Sequence, residues 1–283
     1  MVLAWLLVGL AQQGLLRSLT PFDFLFVPGK LYFFPLLNTV TPVLAIASAC
    51  LLMRWLRTRH AAYAALFGAT LYALILFEPL PLVMGLLFGG LTLLSLWKRD
   101  LAWTPWLWQG AVAVMAFAAV YALFVARFDF DLFETLREAH ADAAAFNVNA
   151  KRPYQIWVRQ NLLDFGFGVG VCQTLVFCAV LGDTIRRAAA SRRELARPIA
   201  VLGLGLAGVL LVTDLLGLSR GEVTRLWIFL ACFFQIPAAY ACARLQSRVA
   251  LIVPLGTTLL QSALGTAMID FIVPGDLYHR VFG

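Results

Sequence analysis

The sequence has few charged residues and no long polar stretch. Asp, Glu, Lys and Arg together make up 13% of the 283 residues. The longest polar stretch, at about 127–161, is too short to bury a hydrophobic core by itself. A separate soluble domain is therefore not expected, and the chain is interpreted as a single domain over 1–283.

Cysteine and histidine are also scarce, with five and three residues respectively. The cysteines all fall in apolar runs and none belongs to a CxxC pair, while the histidines lie far apart in the sequence. This pattern argues against a disulfide framework and against a zinc site. The sequence also contains no Walker loop, no G-x-S-x-G elbow and no H-E-x-x-H motif. No metal and no cofactor are therefore predicted.

Apolar residues dominate the rest of the chain. They make up 62% of it, and the mean hydropathy is +0.85. An apolar run of about 17–25 residues crosses a bilayer as a helix, because each backbone polar group is then paired within its own segment. The sequence therefore predicts an all-α polytopic membrane protein with about nine transmembrane helices. The predicted spans are roughly 1–16, 31–53, 61–77, 80–97, 105–126, 162–182, 198–213, 225–243 and 249–272.

The distribution of basic residues predicts the orientation. If the connector after the second span is cytoplasmic, the cytoplasmic connectors hold 12 Lys and Arg against three acidic residues. The remaining segments hold 10 Lys and Arg against 12 acidic residues. Because cytoplasmic loops are enriched in Lys and Arg, this contrast predicts a cytoplasmic N-terminus and an outer C-terminus. The net charge of +7 is then a topology signal that favours contact with anionic lipid, and nucleic-acid binding is not expected.

The polar stretch at about 127–161 is predicted to be an extracytoplasmic loop that contains a helical segment. Its first part alternates phenylalanines with Asp129 and Asp131, and its last part places Tyr154 and Trp157 among basic residues. This mixture of aromatic and charged residues is typical of a segment at the lipid–water interface. Its carboxylates and basic groups are candidates to bind a phosphorylated lipid headgroup. The alternative is a solvated loop with aromatic anchors.

Two polar residues lie near the predicted entry of the sixth span. Arg152 belongs to a basic cluster that can hold phosphate oxygens through charge-assisted hydrogen bonds. Asn161 falls where the span should already be entering the membrane, and polar groups at that depth are candidates for a role facing a cavity. Both are therefore candidate substrate-binding residues.

A second polar segment precedes the predicted eighth span. Arg220 and Arg225 flank its start on the outer face, against the usual orientation preference, which favours them as ligands of an anion. Glu222, which lies between the two arginines, is with them a candidate substrate-binding residue, and it also has the spacing of a capping box with Ser219. The alternative is that this segment only caps a helix and forms a Glu222–Arg225 pair at the interface.

Two other acidic residues lie in predicted outer connectors. Asp23 lies in the first of them, at about 17–30, where an acid would be a natural general base of a membrane transferase. Glu78 precedes Pro79 at the tip of a tight hairpin, and a simple turn is the favoured interpretation there.

Four segments of the chain, taken together, resemble segments of one known superfamily. They are GKLYFFPLLN at 29–38, FEPLP at 77–81, KRPYQIW at 151–157 with NLLDF at 161–165, and SRGEVTRLW at 219–227. Together they resemble the later, membrane-embedded part of bacterial GT-C-type glycosyltransferase-like integral membrane proteins. That superfamily includes polyprenyl-phosphate-dependent mannosyl- and arabinosyltransferases.

The resemblance implies an inverting sugar transfer from a polyprenyl-phosphate donor at the outer face of the bacterial plasma (inner) membrane. In the family, an acid in the first outer loop is the base, which implies Asp23, with Asp129 and Asp131 as alternates. That loop is usually long and helical, whereas the loop here is short. Either Asp23 serves as the base, or the chain lacks the catalytic N-terminal portion.

The resemblance also implies a binding site for the donor. Basic residues near the membrane hold the donor phosphate in the family, a role that would fall to Arg152, Arg220 and Arg225. Tyr154 and Trp157 would form an interfacial platform for lipid or sugar. Two other functions stay open on the sequence alone: a non-catalytic membrane subunit that packs against a larger complex, and a transporter of a lipid-linked intermediate.

Overall fold

The computed structural model describes residues 27–29, 40–97, 103–191, 194–195, 197–217, 219–245 and 248–268. Within these residues the regular structure is helical and contains no strand, as the sequence predicts. The α helices are α1 (Thr41–Thr58), α2 (Ala61–Phe77), α3 (Gly85–Trp97), α4 (Trp103–Phe128), α5 (Leu132–Asn149), α6 (Tyr154–Val169), α7 (Val171–Ala190), α8 (Pro198–Leu216), α9 (Val223–Leu226), α10 (Ile228–Arg244) and α11 (Arg248–Met268). A 3-10 helix, Leu80–Met84, leads directly into α3.

The described part of the chain has three stretches of helix that are long and apolar enough to cross a membrane: Leu80–Trp97, Trp103–Phe128 and Pro198–Leu216. A fourth is obtained if α6 and α7, which meet at an angle of 109°, are taken as one span. These helices indicate a membrane protein, as the hydropathy predicts.

The predicted span boundaries agree with the helix boundaries most closely at the hairpin around Pro79. The predicted spans at 61–77 and 80–97 coincide with α2 and with the stretch Leu80–Trp97. Proline follows α2 closely and cannot continue the helix, which is why the boundary is sharp. The predicted span at 1–16 lies outside the described residues.

Helix α10 lies at the centre of the packing. Most of its side chains are buried, and Phe229 and Cys232 have no exposed surface. The helix packs against α1, α6, α7 and α8. Apolar residues occupy all of its faces, which is typical of a helix surrounded by other helices.

Helix α4 lies at the periphery and is held mainly by α2. Of its 26 residues, only Gln109 and Ala113 are buried. The Gln109 amide accepts a hydrogen bond from Trp55 Nε1 at 2.6 Å and donates one to the backbone oxygen of Arg59, also at 2.6 Å. These bonds join α4 to α1, while the rest of α4 presents an apolar surface to its surroundings.

The polar stretch at 127–161 is helical over most of its length. Helix α5 lies within it, and only two of its 18 residues are buried. The Asp131 carboxylate caps α5 by accepting backbone hydrogen bonds from Phe133 at 2.8 Å and Glu134 at 3.2 Å. The predicted loop does contain a helical segment, and this exposed helix with its short connections makes up most of the stretch.

The predicted span at 162–182 is broken. Helix α6 ends at Val169, Gly170 has a φ of 112°, and α7 begins at Val171. Residues with a Cβ are strained at that φ, whereas glycine adopts it readily. The predicted span therefore corresponds to two helices that meet at 109°, and it is a single span only if this bent pair crosses the membrane together.

Two glutamines pair the backbone groups that the break sets free. Gln261 donates to the backbone oxygen of Phe167 at 2.6 Å and accepts from the Val171 N–H at 2.9 Å. Gln235 donates to the backbone oxygen of Val169 at 3.0 Å. Unpaired backbone groups are costly in an apolar environment, so these side chains make the break tolerable.

Charged residues lie at both ends of α8. This helix has 19 residues, which corresponds to a length of about 28 Å. We call the end that contains Arg152 and Arg220 the Arg152 end, and the end that contains Arg187 and Arg244 the Arg244 end. Their separation is close to the hydrocarbon thickness of a bilayer, about 30 Å.

Candidate functional site

Polar side chains from three parts of the chain lie at the Arg152 end, where the first two parts are in contact and the third is coupled to them electrostatically. The first part is the turn between α5 and α6, the second is the segment between α8 and α10, and the third is the hairpin between α2 and α3. The short helix α9 packs against α6, which brings the first two parts into contact. We call this group of residues the outer-loop cluster, after the side of the membrane that the sequence predicts for it: Glu78, Arg152, Tyr154, Trp157, Asn161, Asp214, Arg220, Glu222 and Arg225.

Arg152 and Arg220 link the two loops through each other's backbone. Arg152 Nη1 donates to the backbone oxygen of Arg220, and Arg220 Nη1 donates to the backbone oxygen of Arg152 at 2.8 Å. Arg220 Nε also donates to the backbone oxygen of Gly217 at 3.0 Å. The guanidinium of Arg220 is therefore largely occupied with holding the loops together.

Glu222 lies between two cations. Its Oε1 is 3.8 Å from Arg152 Nη1, and its Oε2 forms an ion pair with Arg225 Nη2. The Glu222–Arg225 pair is the one that the sequence analysis kept as its structural alternative. The side chains of Arg152, Glu222 and Arg225 are 22%, 28% and 37% exposed, so the group is partly shielded from solvent.

Aromatic rings support both arginines of the reciprocal pair. The guanidinium carbon of Arg152 lies 5.7 Å from the ring centroid of Trp157 and 4.8 Å from that of Phe146. That of Arg220 lies 5.4 Å from the ring of Tyr154, whose hydroxyl donates to the backbone oxygen of Leu215 at 2.9 Å. Cations at this distance from a ring face are stabilised by its quadrupole.

Asn161 connects the cluster to the interior. It is 1% exposed, and its Nδ2 donates to Asp214 Oδ1 at 3.2 Å and to the backbone oxygen of Ser219 at 3.1 Å. Its Oδ1 accepts from the Gly221 N–H at 3.2 Å. All these contacts fix the loop between α8 and α9, so Asn161 is a positioning residue within the cluster.

The backbone at Gly221 allows the loops to approach closely. Its φ is 77°, and a Cβ built there would lie 2.8 Å from Trp157 Cη2 and 3.3 Å from Arg152 Cζ. Glycine is therefore required at this position both by the backbone conformation and by the space.

The capping box expected at Ser219 and Glu222 does not form. Glu222 precedes α9, but no side chain caps that helix, and the main helix of this region begins only at Ile228. The backbone oxygen of Ser219 accepts from Asn161, and the Glu222 carboxylate is turned towards Arg225 and Arg152. Tertiary partners therefore replace the local capping interactions.

Glu78 lies at the hairpin and is electrostatically coupled to the cluster. Burial raises the pKa of its carboxyl above the ordinary value, while a hydrogen bond from the Leu80 backbone and the positive charge of Arg225 lower it by less. A carboxyl with a raised pKa can accept or release a proton nearer neutral pH.

The predicted catalytic acids lie elsewhere. Asp131 caps the start of α5, and Asp129 adjoins it with a φ of 53°. Arg152 lies beyond the other end of α5, whose 18 residues span about 27 Å. The structure therefore does not bring Asp129 or Asp131 to the cluster, and Asp23 lies outside the described residues.

The seven residues that the sequence analysis assigned to substrate binding do come together. They are Arg152, Tyr154, Trp157, Asn161, Arg220, Glu222 and Arg225. Arg152 and Arg225 share Glu222 as their partner, so an anion that displaced this carboxylate would meet two guanidinium groups. In the described chain, no group of three His, Cys, Asp or Glu residues is arranged to hold a metal ion.

Sequence reasoning did not assign two members of the cluster. Asp214 is 2% exposed near the end of α8, with Asn161 as its hydrogen-bond donor. The sequence feature that could have identified Asp214 is its position as an acid at the end of an apolar run, since such acids are usually functional or paired. Glu78 was interpreted as a turn residue, because nothing in the local sequence connects it with Arg225.

Comparisons of the chain with protein-family models, with curated proteins and with solved structures found no match.

Proposed function

We propose that the protein is a membrane glycosyltransferase-like protein of the GT-C type, which transfers a sugar from a polyprenyl-phosphate donor at the outer face of the bacterial plasma membrane. The observation that carries this proposal is the convergence of the segments that resemble this superfamily. FEPLP contributes Glu78, KRPYQIW contributes Arg152, and SRGEVTRLW contributes Arg225.

The fourth segment begins beside the same group. A Cβ built on Gly29 would lie 2.9 Å from the backbone oxygen of Thr224 and 3.2 Å from that of Gly168. Gly29 therefore lies beside Thr224, the sequence neighbour of Arg225, although the two are almost 200 positions apart. Packing of a membrane bundle alone does not require charged segments to converge, since charged groups are stable at any exposed helix end.

In the proposed mechanism, Arg152 and Arg225 bind the donor phosphate. Phosphate oxygens replace the Glu222 carboxylate as acceptors of their N–H groups. Bond cleavage between the anomeric carbon and the phosphate oxygen leaves negative charge on the departing polyprenyl phosphate. The same guanidinium groups stabilise that charge.

The proposed general base among the described residues is Glu78. It would accept the proton of an acceptor hydroxyl, whose oxygen then attacks the anomeric carbon from the face opposite the phosphate, with inversion. The raised pKa of its carboxyl suits this role. Asp23 is the alternative base that the resemblance implies.

A cavity beside the hairpin fits the apolar tail of such a donor. It has a volume of about 650 Å³ and lies between α1, α2, α3 and α4. Its lining is almost wholly apolar, and Ile75, Pro81 and Leu82 bring it next to Glu78. An isoprenoid chain in this cavity would have its phosphate near the outer-loop cluster.

The test is binding and turnover of radiolabelled polyprenyl-phosphate sugars by the purified protein in lipid nanodiscs. We expect Arg225→Gln to weaken donor binding and Glu78→Gln to abolish turnover while binding survives. Arg137→Gln is the matched control, since Arg137 lies on the exposed α5 and carries the same charge.

The outcomes separate the candidate functions. Loss of turnover in Asp23→Asn but not in Glu78→Gln would reassign the base to Asp23. Binding without turnover in the parent would favour a lipid-linked-intermediate transporter. No donor binding in any form would contradict the lipid-sugar proposal and favour a non-catalytic subunit.

We also propose nine spans with a cytoplasmic N-terminus, so that the Arg152 end faces outwards. The test is labelling of single cysteines in intact cells by a membrane-impermeant maleimide, after removal of the five native cysteines. Ala139→Cys on α5 should react from outside, whereas Ala190→Cys at the end of α7 should not. The reverse pattern would invert the orientation.

The helix break supports the transporter as a second candidate. Discontinuous helices whose free backbone groups face polar side chains are a recurring feature of transporter sites. Here Gln235 and Gln261 pair with that backbone. The described polar side chains around the break are uncharged, which disfavours coupling to ions.

A further inference from the structure

A second cavity, which unlike the first is lined partly by charged residues, lies at the Arg244 end, opposite the outer-loop cluster. It has a volume of about 520 Å³ and is enclosed by α7, the start of α8 and the end of α10. Arg187, Arg197 and Arg244 line it together with two acids, Asp183 and Glu194. The proposed function assigns no role to this cavity.

The three arginines differ in their partners. Arg187 Nε is 2.7 Å from Asp183 Oδ2, and Arg197 Nη2 is 2.8 Å from Glu194 Oε1. The side chain of Arg244 forms no ion pair and no hydrogen bond with any residue that the structure describes. Its guanidinium carbon lies 5.8 Å from the ring centroid of Tyr240. Among the described residues that line the cavity, Arg244 is therefore the cation whose N–H donors have no carboxylate partner.

The remainder of the lining is mostly apolar, with Thr184 and Tyr240 as its other polar residues. Val176, Ala179 and Val180 of α7 face Ile199 and Ala200 of α8 across the cavity. Its volume is more than ten times the roughly 30 Å³ that a water molecule occupies in the liquid. A free phosphate ion would leave most of this apolar surface uncovered.

We infer that this cavity is a binding site for an anionic phospholipid, with the headgroup phosphate on Arg244 and the upper part of an acyl chain against α7 and α8. Basic cavities between membrane helices on the cytoplasmic side recognise anionic lipid headgroups by the same combination of charge and apolar surface. Arg187 and Arg197 border the phosphate position and can exchange their carboxylate partners for phosphate oxygens. The inference requires a membrane location but does not depend on sugar transfer.

The experiment measures the affinity of the purified full chain for a fluorescent phosphatidylglycerol in detergent, with competition by unlabelled compounds. We expect unlabelled phosphatidylglycerol to compete at least tenfold better than phosphatidylcholine. Glycerol 3-phosphate, which has the headgroup charge but no acyl chain, should not compete at comparable concentrations. Equal competition by both lipids, or strong competition by glycerol 3-phosphate, would overturn the inference.

Variants locate the site. Arg244→Gln should lower the affinity about tenfold, and Arg244→Lys should restore part of it because the charge returns without the planar guanidinium. Ala179→Phe should block the cavity without changing any charge. Arg137→Gln, at the far end of the bundle, is the charge-matched control and should bind as the parent does. Equal affinity in parent, Arg244→Gln and Ala179→Phe would contradict the assignment.

Discussion

Arg152 and Arg220 each donate a hydrogen bond to the backbone carbonyl oxygen of the other. This reciprocal pair joins the α5–α6 turn to the loop after α8, two segments that are 68 residues apart in the sequence. Neither guanidinium can be replaced by an ammonium group without losing part of the arrangement, because each uses the fixed geometry of its N–H groups.

The reciprocal pair predicts strong coupling between its members. Hydrogen bonds to charged groups contribute about 1.5–3 kcal/mol, so Arg152→Ala and Arg220→Ala should each lower the free energy of unfolding by about that amount. Because loss of either bond lets the two loops move apart and so weakens the other bond, the double variant should be little worse than either single one. Denaturant titration in detergent measures all three, and additive effects would show that the two loops are held independently.

Asn161→Ala should destabilise the bundle, because it leaves Asp214 without its amide donor and the Gly221 N–H without its acceptor. Loss of a partner by buried polar groups costs about 1–3 kcal/mol per group. Asn149→Ala is the control, since Asn149 is exposed at the end of α5. Thermal unfolding in detergent should separate the two variants clearly, and equal melting temperatures would contradict the role of Asn161.

Gly221→Ala should disrupt the outer-loop cluster. Its new Cβ would lie 2.8 Å from Trp157 Cη2 in a backbone conformation with a φ of 77°. We expect a lower melting temperature and a shift in the fluorescence of Trp157. The contribution of Trp157 to the total emission is identified by comparison with Trp157→Phe. Gly182→Ala, where a Cβ on α7 meets no neighbouring atom, should be neutral or stabilise the protein by up to about 1 kcal/mol. Similar effects of the two substitutions would argue against the proposed close approach.

Glu78 should make stability depend on pH. Because burial raises the pKa of its carboxyl above the ordinary value of 4.5, the folded state retains the proton over a range where the unfolded state has lost it. Stability should therefore fall as the pH rises from about 4.5 through the folded-state pKa, and then level off.

Glu78→Gln should remove this part of the pH dependence and make the protein relatively more stable at neutral pH. Melting temperatures measured in detergent between pH 5 and pH 8 test it. Glu138→Gln on the exposed α5 makes the same charge change and should leave the pH profile as in the parent. Parallel profiles for parent and Glu78→Gln would show that Glu78 does not titrate in this range.

Gln261→Leu should loosen the helix break. It removes the side-chain donor to the Phe167 oxygen, which then keeps the Gly170 N–H, and it removes the acceptor for the Val171 N–H. Unpaired backbone groups are costly in an apolar environment. Hydrogen exchange of the amides around 167–174 should become faster. Thr257→Val is the control, because its hydroxyl bonds only to carbonyl oxygens of its own helix. Unchanged exchange in Gln261→Leu would mean that other groups hold the break.

The boundaries of two apolar stretches could be read from the sequence. The runs at 61–77 and 80–97 are bounded by charged residues and proline, and these signals act over a few neighbouring residues. The break at Gly170 was not predicted, because the apolar run continues through it. What permits the break is the pairing of its backbone with Gln235 and Gln261, which are distant in sequence.

The sequence by itself determined that this chain is helical and apolar, and it identified the arginines and aromatic residues near the helix ends as unusual. Only the tertiary structure decided their arrangement. Arg152 and Arg225 both lie next to the Glu222 carboxylate, the charge of Arg225 acts on Glu78, and Asp131 caps a helix far away. Composition and periodicity act locally along one helix. Contacts between helix ends depend on how several helices pack, and that depends on the shapes of buried side chains such as those of α10.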